Sequence, residues 1–324
     1  MIDYVNYFEL TISLAIALLL DKLLGEPKSF HPLVGFGLCA SWLEGKLNKY
    51  HSRKLSTRVC MNYMLGALSC GLLIVPVVSL YYASALLVTG SQMIVLDGVL
   101  IYLAIGLKSL RQHAMQVYHP LLAQDISQAR HFTAYLVSRN TSELTPQQMA
   151  RATTESMLEN GNDAVIASLV CYGIGGIPLV IVHRLVNTLD AMWGYRNERF
   201  SSFGYCVAKL DDVLGFVGAK ITALLYAIQG DFTLSLRNAY YQGKAYKSLN
   251  GGWAMASGAT ALNIRVGGKA KYDGISTESV TLGSGHVVGI FDIERSVKLV
   301  ERAAIIFTLV VACYQVLCFL LVGV

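Results

Sequence analysis

Long apolar runs constrain this chain more than any other feature. They lie at residues 8–24, 62–88, 92–107, 164–182, 214–229 and 303–324. A helix crossing a bilayer needs about 20 predominantly apolar residues; the runs at 92–107 and 214–229 are shorter and weaker signals. Only 15% of the 324 residues are charged, against about 25% in a soluble domain. Lipid acting as part of the solvent accounts for this excess. The expected fold class is all-α: one polytopic integral membrane domain, 1–324, with about four to six membrane-embedded helices, some re-entrant, and helical or loop cytoplasmic segments.

Residues 1–7 contain Asp3 and no Lys or Arg, and no small-residue cleavage pattern follows. The run 8–24 therefore reads as a retained anchor, because a signal peptide needs a basic leader. Net charge is +5, without a polybasic block or aromatic-basic interleaving, so the composition argues against a nucleic-acid partner. Segment 25–61 carries Lys28, Lys46, Lys49, Arg53, Lys54 and Arg58, and segment 231–302 is similarly basic. The positive-inside rule places both in the cytoplasm and the N-terminus outside. The 7 cysteines form no CxxC pair and read as free, mostly buried thiols.

Glycine and proline divide the polar and apolar stretches. Thr145-Pro146 has the form of an N-cap followed by proline at the first helical position. Gly173, Gly175, Gly176 and Pro178 should break the run 164–182 near its middle, and Gly215, Gly218 and Lys220 should interrupt 213–230. Such breaks are tolerated within a membrane when protein or a water-filled cavity surrounds them. If both segments span, the polar island 183–212 faces outward; if both are re-entrant, it stays cytoplasmic.

Several constellations can carry chemistry. Glu155, Glu159 and Asp163 are spaced i, i+4, i+8, with Asn160 beside them. On a continuous helix they share a face, where like charges destabilise one another. Mg²⁺ would compensate, since it favours one or two carboxylates plus phosphate oxygens; the alternative is a solvated acidic face. A second group is Asn187, Asp190, Arg196, Glu198 and Arg199, followed by Lys209, Asp211 and Asp212. Ionisable groups beside hydrocarbon are expensive and point to function, although an internal salt-bridge patch also fits. Residues 250–274 read as a glycine-rich loop with basic residues from Arg265 to Lys271, able to wrap a phosphate or a large polar ligand. They contain no GxxxxGK[ST]. Around 21–37, Asp21, Gly25, Pro27, His31 and Pro32 mark a turn-rich exit from the first apolar run.

Taken in order, these stretches resemble the CbiB/CobD family of cobalamin biosynthesis proteins. The family's aspartate, G-D-P and H-P-V elements are similar to Asp21, Gly25-Glu26-Pro27 and His31-Pro32-Leu33, with Gly37 following. Its E-N-x-x-D-G resembles Glu159-Asn160 and Asp163, with Ala164 at the glycine. N-T-L-D-x-M-x-G-Y-x-N-E-R-x-x-x-F-G resembles residues 187–204 at every fixed position. "AKLDDVLGFVGAKITA" at 208–223 and "NGGWAMASGATALNIRVGG" at 250–268 are similar to two further motifs. Glu26, Gly218 and Ala254 depart from the family's aspartate and prolines. The divergent AmpE membrane proteins, regulatory and non-catalytic, are the alternative.

The resemblance implies an ATP-dependent amide ligase at the cell inner membrane with its site on the cytoplasmic side. Its substrates would be adenosylcobyric acid, a corrinoid, and (R)-1-aminopropan-2-ol O-2-phosphate or free aminopropanol. A carboxylate is a poor electrophile, so the reaction calls for Mg²⁺ with ATP as co-substrate, a cationic clamp and a base. Catalysis would fall to Asp190, Asp212, Glu198 and Asp211. Asn187, Arg196, Arg199, Lys209, Asn250, Trp253 and Arg265 would bind ATP or substrate, and Glu155, Glu159, Asn160 and Asp163 would hold the metal. Membrane lipid, a second copy of the chain, or other late cobalamin-assembly enzymes are the further partners implied.

Overall fold

The computed structural model describes residues 7–27, 31–48, 56–137, 140–272 and 275–322. Lys28, Lys49, Arg53 and Lys54 lie outside the described residues, as do the side chains of Arg58, Lys269 and Lys271. The chain is an all-α polytopic membrane protein with a small sheet. It divides into two compact units. Unit one comprises Met1–Ile105, Ser168–Gly215 and Val311–Val324; unit two comprises Gly106–Ala167 and Phe216–Val310.

Unit one contains α1 (Glu9–Leu24), α2 (Pro32–Leu47), α3 (Ser56–Ala85) and α4 (Ser91–Ala104). It also takes in nearly all of α8 (Ala167–Trp193) and the first half of α9 (Tyr205–Ala227). Gly98 lets α4 approach α1 until an added Cβ would lie 2.6 Å from Ile16, and Ser13 Oγ donates to Ile94 O at 3.0 Å. The core is a cluster of Ala40, Cys70, Ile74, Leu185, Val186, Leu189, Trp193, Phe203 and Val207. Trp193 and Phe203 meet edge to face with centroids 5.1 Å apart.

Unit two contains α5 (Leu107–Leu122), α6 (Ile126–Thr133) and α7 (Pro146–Gly161), which a π-turn (Asn162–Ile166) extends. After the second half of α9 come α10 (Phe232–Tyr241), α11 (Leu249–Ala261), β1 (Ile264–Tyr272), β2 (Ile275–Gly283) and β3 (His286–Val287). The final helix, α12 (Phe291–Val322), belongs to this unit as far as Val310. The sheet order is β2-β1-β3; β1 pairs antiparallel with β2 and parallel with β3. Thr145 caps α7 in a full capping box with Gln148, as the Thr-Pro sequence predicts.

Among the described residues, four stretches are long and apolar enough to cross a membrane: Val59–Ala85, Ser91–Leu122, Pro146–Trp193 and Phe291–Leu321. The run 8–24 falls outside this set because α1 has only 16 residues, fewer than the about 20 a crossing needs. The run 214–229 also falls outside it.

The two glycine-interrupted segments behave differently. In α8 the helix is broken where expected: Gly175 is non-helical and Gly176 has φ +63°, a left-handed conformation that glycine adopts without steric cost. The predicted interruption of 213–230 does not occur. No kink falls within α9, and Gly218 serves packing instead: an added Cβ there would sit 2.7 Å from Ala167 Cβ. Residues 250–274 also differ from the expected loop. The first part is α11, capped by Ser248, whose side chain accepts from Gly251 N. The remainder enters β1, where a bulge falls between Val266 and Gly268, with φ +78° and +79° at Gly267 and Gly268.

Candidate functional site

In unit one the polar island closes a turn. Gly194 N donates to Asp190 O at 2.7 Å and ends α8. Asn197 then organises the loop: its backbone oxygen accepts from Ser201 N at 2.9 Å, and its Oδ1 accepts from Phe200 N at 3.0 Å. Two buried asparagines fasten the loop to the rest of the unit. Asn48 Nδ2 donates to Arg199 O at 2.9 Å, and Asn62 Nδ2 donates to Ser202 Oγ at 2.7 Å. Arg199, expected to clamp substrate charge, is committed elsewhere. Its Nε and Nη2 grip both oxygens of buried Glu44 at 3.1 and 2.6 Å. That bidentate geometry is the strong form of an ion pair, so Arg199 is a fastener of the loop. The internal patch of Arg196, Glu198 and Arg199 does not form; Arg196 and Glu198 are exposed on the loop.

This turn brings the end of α8 against the start of α9. Asn187 Nδ2 donates to Asp211 Oδ1 at 3.3 Å, and Arg184 Nη1 reaches Asn187 Oδ1 at 3.4 Å. One turn along, half-buried Asp190 and exposed Asp212 are close enough for their negative charges to repel. A side chain at Gly194 would collide with the Asp190 carboxylate, so glycine keeps that oxygen accessible. Lys209 Nζ lies 3.6 Å from Asp212 Oδ2 on the exposed side of α9. Asn187, Asp190, Asp211, Asp212 and Lys209 are thus brought together. Neighbouring carboxylates have two chemical uses: holding a cation between them, or sharing a proton.

The expected metal set in unit two is not assembled. Glu155 Oε1 accepts from Gly267 N at 2.7 Å, while Arg151, one turn before it, donates to Gly267 O at 2.9 Å. The two side chains pin α7 to the bulge of β1. Asn160 turns its amide back to Ser156 O at 2.9 Å. The π-turn shifts Asp163 out of the i, i+8 register, and its Oδ1 accepts from Asn162 Nδ2 at 2.6 Å. Glu159 leans on the first turn of α11, where a Cβ at Gly251 would lie 2.5 Å from its Oε1. Lys247 is near enough to attract it. Among the described residues no three His, Cys, Asp or Glu side chains gather as a metal cluster. A protein-only cage therefore does not fit. Mg²⁺ held by one or two carboxylates and substrate phosphates does, and the Asp190–Asp212 pair has the required charge and access.

The other expected binding residues lie on α11 and β1. Asn250 is buried in the first turn of α11, and Arg265 is exposed on β1. Trp253 belongs to an aromatic-cation group that the sequence reading missed. Lys220 Nζ stands 3.2 Å from the Trp253 ring centroid and 4.8 Å from that of Phe216. Lys244 lies 3.6 Å from the Tyr240 centroid, and Tyr240 meets Trp253 edge to face at 6.1 Å. Burial, and then the Lys244 charge, pull the Lys220 pKa down from 10.5 to about 8. The signal was available: a lone lysine in an apolar run points first to function.

The site is therefore a paired-carboxylate face on a helical membrane protein. Comparison with known proteins supplies the family. The model of the CobD/Cbib protein family matches residues 14–300, and the chain belongs to this family. It is 42% identical over 289 residues to the Chromobacterium violaceum protein named cobalamin biosynthesis protein CobD, covering 89% of this chain and 91% of that one. The Stutzerimonas stutzeri protein of the same name is 42% identical over 294 residues, 91% and 94% of the two chains. That of Halalkalibacterium halodurans is 33% identical over 307 residues, 91% and 93%. No solved structure matches the chain.

Proposed function

We propose that this chain is an ATP-dependent amide ligase of cobalamin biosynthesis. It joins the carboxylate of adenosylcobyric acid to the amine of (R)-1-aminopropan-2-ol O-2-phosphate, or of free aminopropanol. Family membership and the names of the relatives support the pathway. The observation that carries the chemistry is Asp190 on α8 within electrostatic reach of Asp212 on α9, beside the hydrogen bond from Asn187 to Asp211 that joins the two helices.

The reaction has two needs that this face suits. The substrate carboxylate is activated by taking a phosphoryl group from ATP, releasing ADP; the amine then displaces phosphate as the amide bond forms. The amine arrives as an ammonium and must first lose a proton. One aspartate anchors the ammonium and accepts that proton, a role worth about 10²–10⁴ in rate. The other, with the Asn187–Asp211 pair beside it, would help hold Mg²⁺, which would neutralise charge on the phosphate oxygens. Arg196, exposed on the neighbouring loop, would meet the phosphates. Since ATP is cytosolic, this face lies on the cytoplasmic side of the inner membrane.

Purified protein in detergent, given adenosylcobyric acid, aminopropanol phosphate and Mg²⁺–ATP, should form the amide and ADP in equal amounts. Corrinoid binding without ATP turnover would defeat the ligase reading and favour a non-catalytic, AmpE-like role. A cysteine at exposed Ser201, in a background without the native cysteines, should react with impermeant thiol reagents in inverted vesicles. Labelling in intact cells would overturn the cytoplasmic placement.

A further inference from the structure

The break at Gly175 and Gly176 does more than bend α8. Ser168 Oγ and His183 Nδ1 are hydrogen-bonded at 3.2 Å, although 15 residues separate them in sequence. A straight helix of that length rises about 22 Å. The two residues sit evenly about the break, each seven positions from its nearer glycine. The chain therefore turns back on itself there, and α8 is a hairpin with arms 168–175 and 177–193. Pro146–Trp193 is long and apolar enough to cross a membrane, but the fold returns residue 183 to the level of residue 168 instead.

Each arm is anchored separately within unit one. On the first, Tyr172 donates to Asp97 Oδ2 at 3.3 Å. Tyr81 of α3 donates to the other oxygen of that carboxylate at 3.2 Å. On the second, Leu185, Val186 and Leu189 enter the core with Cys70 and Ile74 of α3. Ser168 and His183 join the two arms, and both are buried.

His183 also stands in line with the candidate site. His183, Asn187 and Asp190 are spaced i, i+4, i+7, so they share one face of the second arm. The outer end of that face carries Asp190, near Asp212. In its middle Asn187 donates to Asp211 at 3.3 Å, and at its inner end Ser168 holds His183. An arm fixed at two points of one face cannot rotate about its axis without breaking one of them. Without the Ser168 hydroxyl, the Asn187–Asp211 bond would hold the face alone.

We infer that the buried Ser168–His183 hydrogen bond is a latch: it holds α8 as a re-entrant hairpin and positions Asp190 by fixing the rotation of the arm that bears it. The hairpin stands on geometry alone; the effect on turnover rests on the ligase reading.

Two experiments on the full chain test this. Ser168→Cys/His183→Cys, in a background without the native cysteines, is treated in membranes with dibromobimane, which bridges thiols a few ångströms apart. The bridged peptide, read by mass spectrometry, is the expected product; thiols alkylated singly or left unreacted overturn the hairpin. The second experiment measures kcat, KM and melting temperature for Ser168→Ala, alone and combined with Asp190→Asn. Since misplacing a reacting group by about 1 Å can cost about 10² in rate, Ser168→Ala should lower kcat about tenfold or more with KM little changed. It should cause no further loss once Asp190 is replaced, whereas the melting temperature should fall in both backgrounds. His183→Asn, whose amide reaches the place of Nδ1, should keep most of the kcat that His183→Leu loses. An unchanged kcat in Ser168→Ala, or an equal loss in both backgrounds, overturns the positioning role. A bridge in the cysteine pair together with no amide from the wild type would defeat the ligase reading and leave the hairpin standing.

Discussion

On α7 and the π-turn that extends it, Glu155 gives its carboxylate to the Gly267 amide and Asp163 accepts from Asn162, whereas on α8 and α9 Asp190 and Asp212 lie within electrostatic reach of each other. In the sequence the first group is the more regular, with carboxylates at i, i+4 and i+8. In space it is the more occupied. A carboxylate already holding a backbone amide gains little from a cation and loses a fold contact if it moves. One facing another carboxylate is relieved by a cation or a proton. The lesson is that spacing along one helix places charges on a face, while chemistry depends on what the opposite element presents.

The largest test of this contrast is Asp190→Asn. It should lower kcat by about 10²–10⁴ and leave the melting temperature unchanged or slightly higher, because a like-charge repulsion is removed. Unimpaired turnover with a lowered melting temperature would make Asp190 structural and abolish the contrast. Arg199→Ala should do the reverse: a clear fall in melting temperature, since buried Glu44 loses its bidentate partner. The double variant Arg199→Ala/Glu44→Gln should recover part of it. Loss of turnover at unchanged melting temperature would return Arg199 to the substrate clamp. Glu155→Ala should cost about 1–3 kcal/mol of stability for the lost hydrogen bond to Gly267, with an unaltered Mg²⁺ titration. A shifted Mg²⁺ requirement would restore the metal reading on α7.

The smallest effect concerns Lys220. Its folded pKa is lowered to about 8 from 10.5, so the unfolded chain holds the extra proton between those values. Stability should therefore rise as pH climbs from about 8 toward 10.5. Below that window both states are protonated and the penalty of burying the charge is fully present. Lys220→Met should flatten this part of a melting-temperature profile; an unchanged slope would show that the aromatic enclosure does not desolvate the ammonium.

Much of this architecture was legible in the sequence, for identifiable reasons. The Thr145 cap and the Gly175–Gly176 break depend on residues adjacent in sequence. The all-α class follows from run length. What stayed hidden depends on distant partners. Gly218 reads as a helix breaker until Ala167 is seen against it. Glu44 gave no signal because its partner Arg199 is 155 residues away. The commitment of Glu155 to β1 was not legible, because Gly267 and Gly268 read as loop rather than bulge.

Unit one is assembled from separated pieces of chain, and this bears on the order of its biogenesis. Gln315 Nε2 donates to Tyr7 O at 2.9 Å, and its Oε1 accepts from Thr11 Oγ1 at 2.6 Å across 304 residues. Contacts of such separation form late and slow the search for the native state. Translation delivers the N-terminal residues first, so α1 must wait without the partner of Thr11 until residue 315 has been synthesised. Through that interval the nascent protein depends on the insertion machinery or on lipid to shield the face that α12 will cover. Ribosome stalling before residue 315 should therefore leave α1 open to crosslinking by insertase components, and release past it should end that contact.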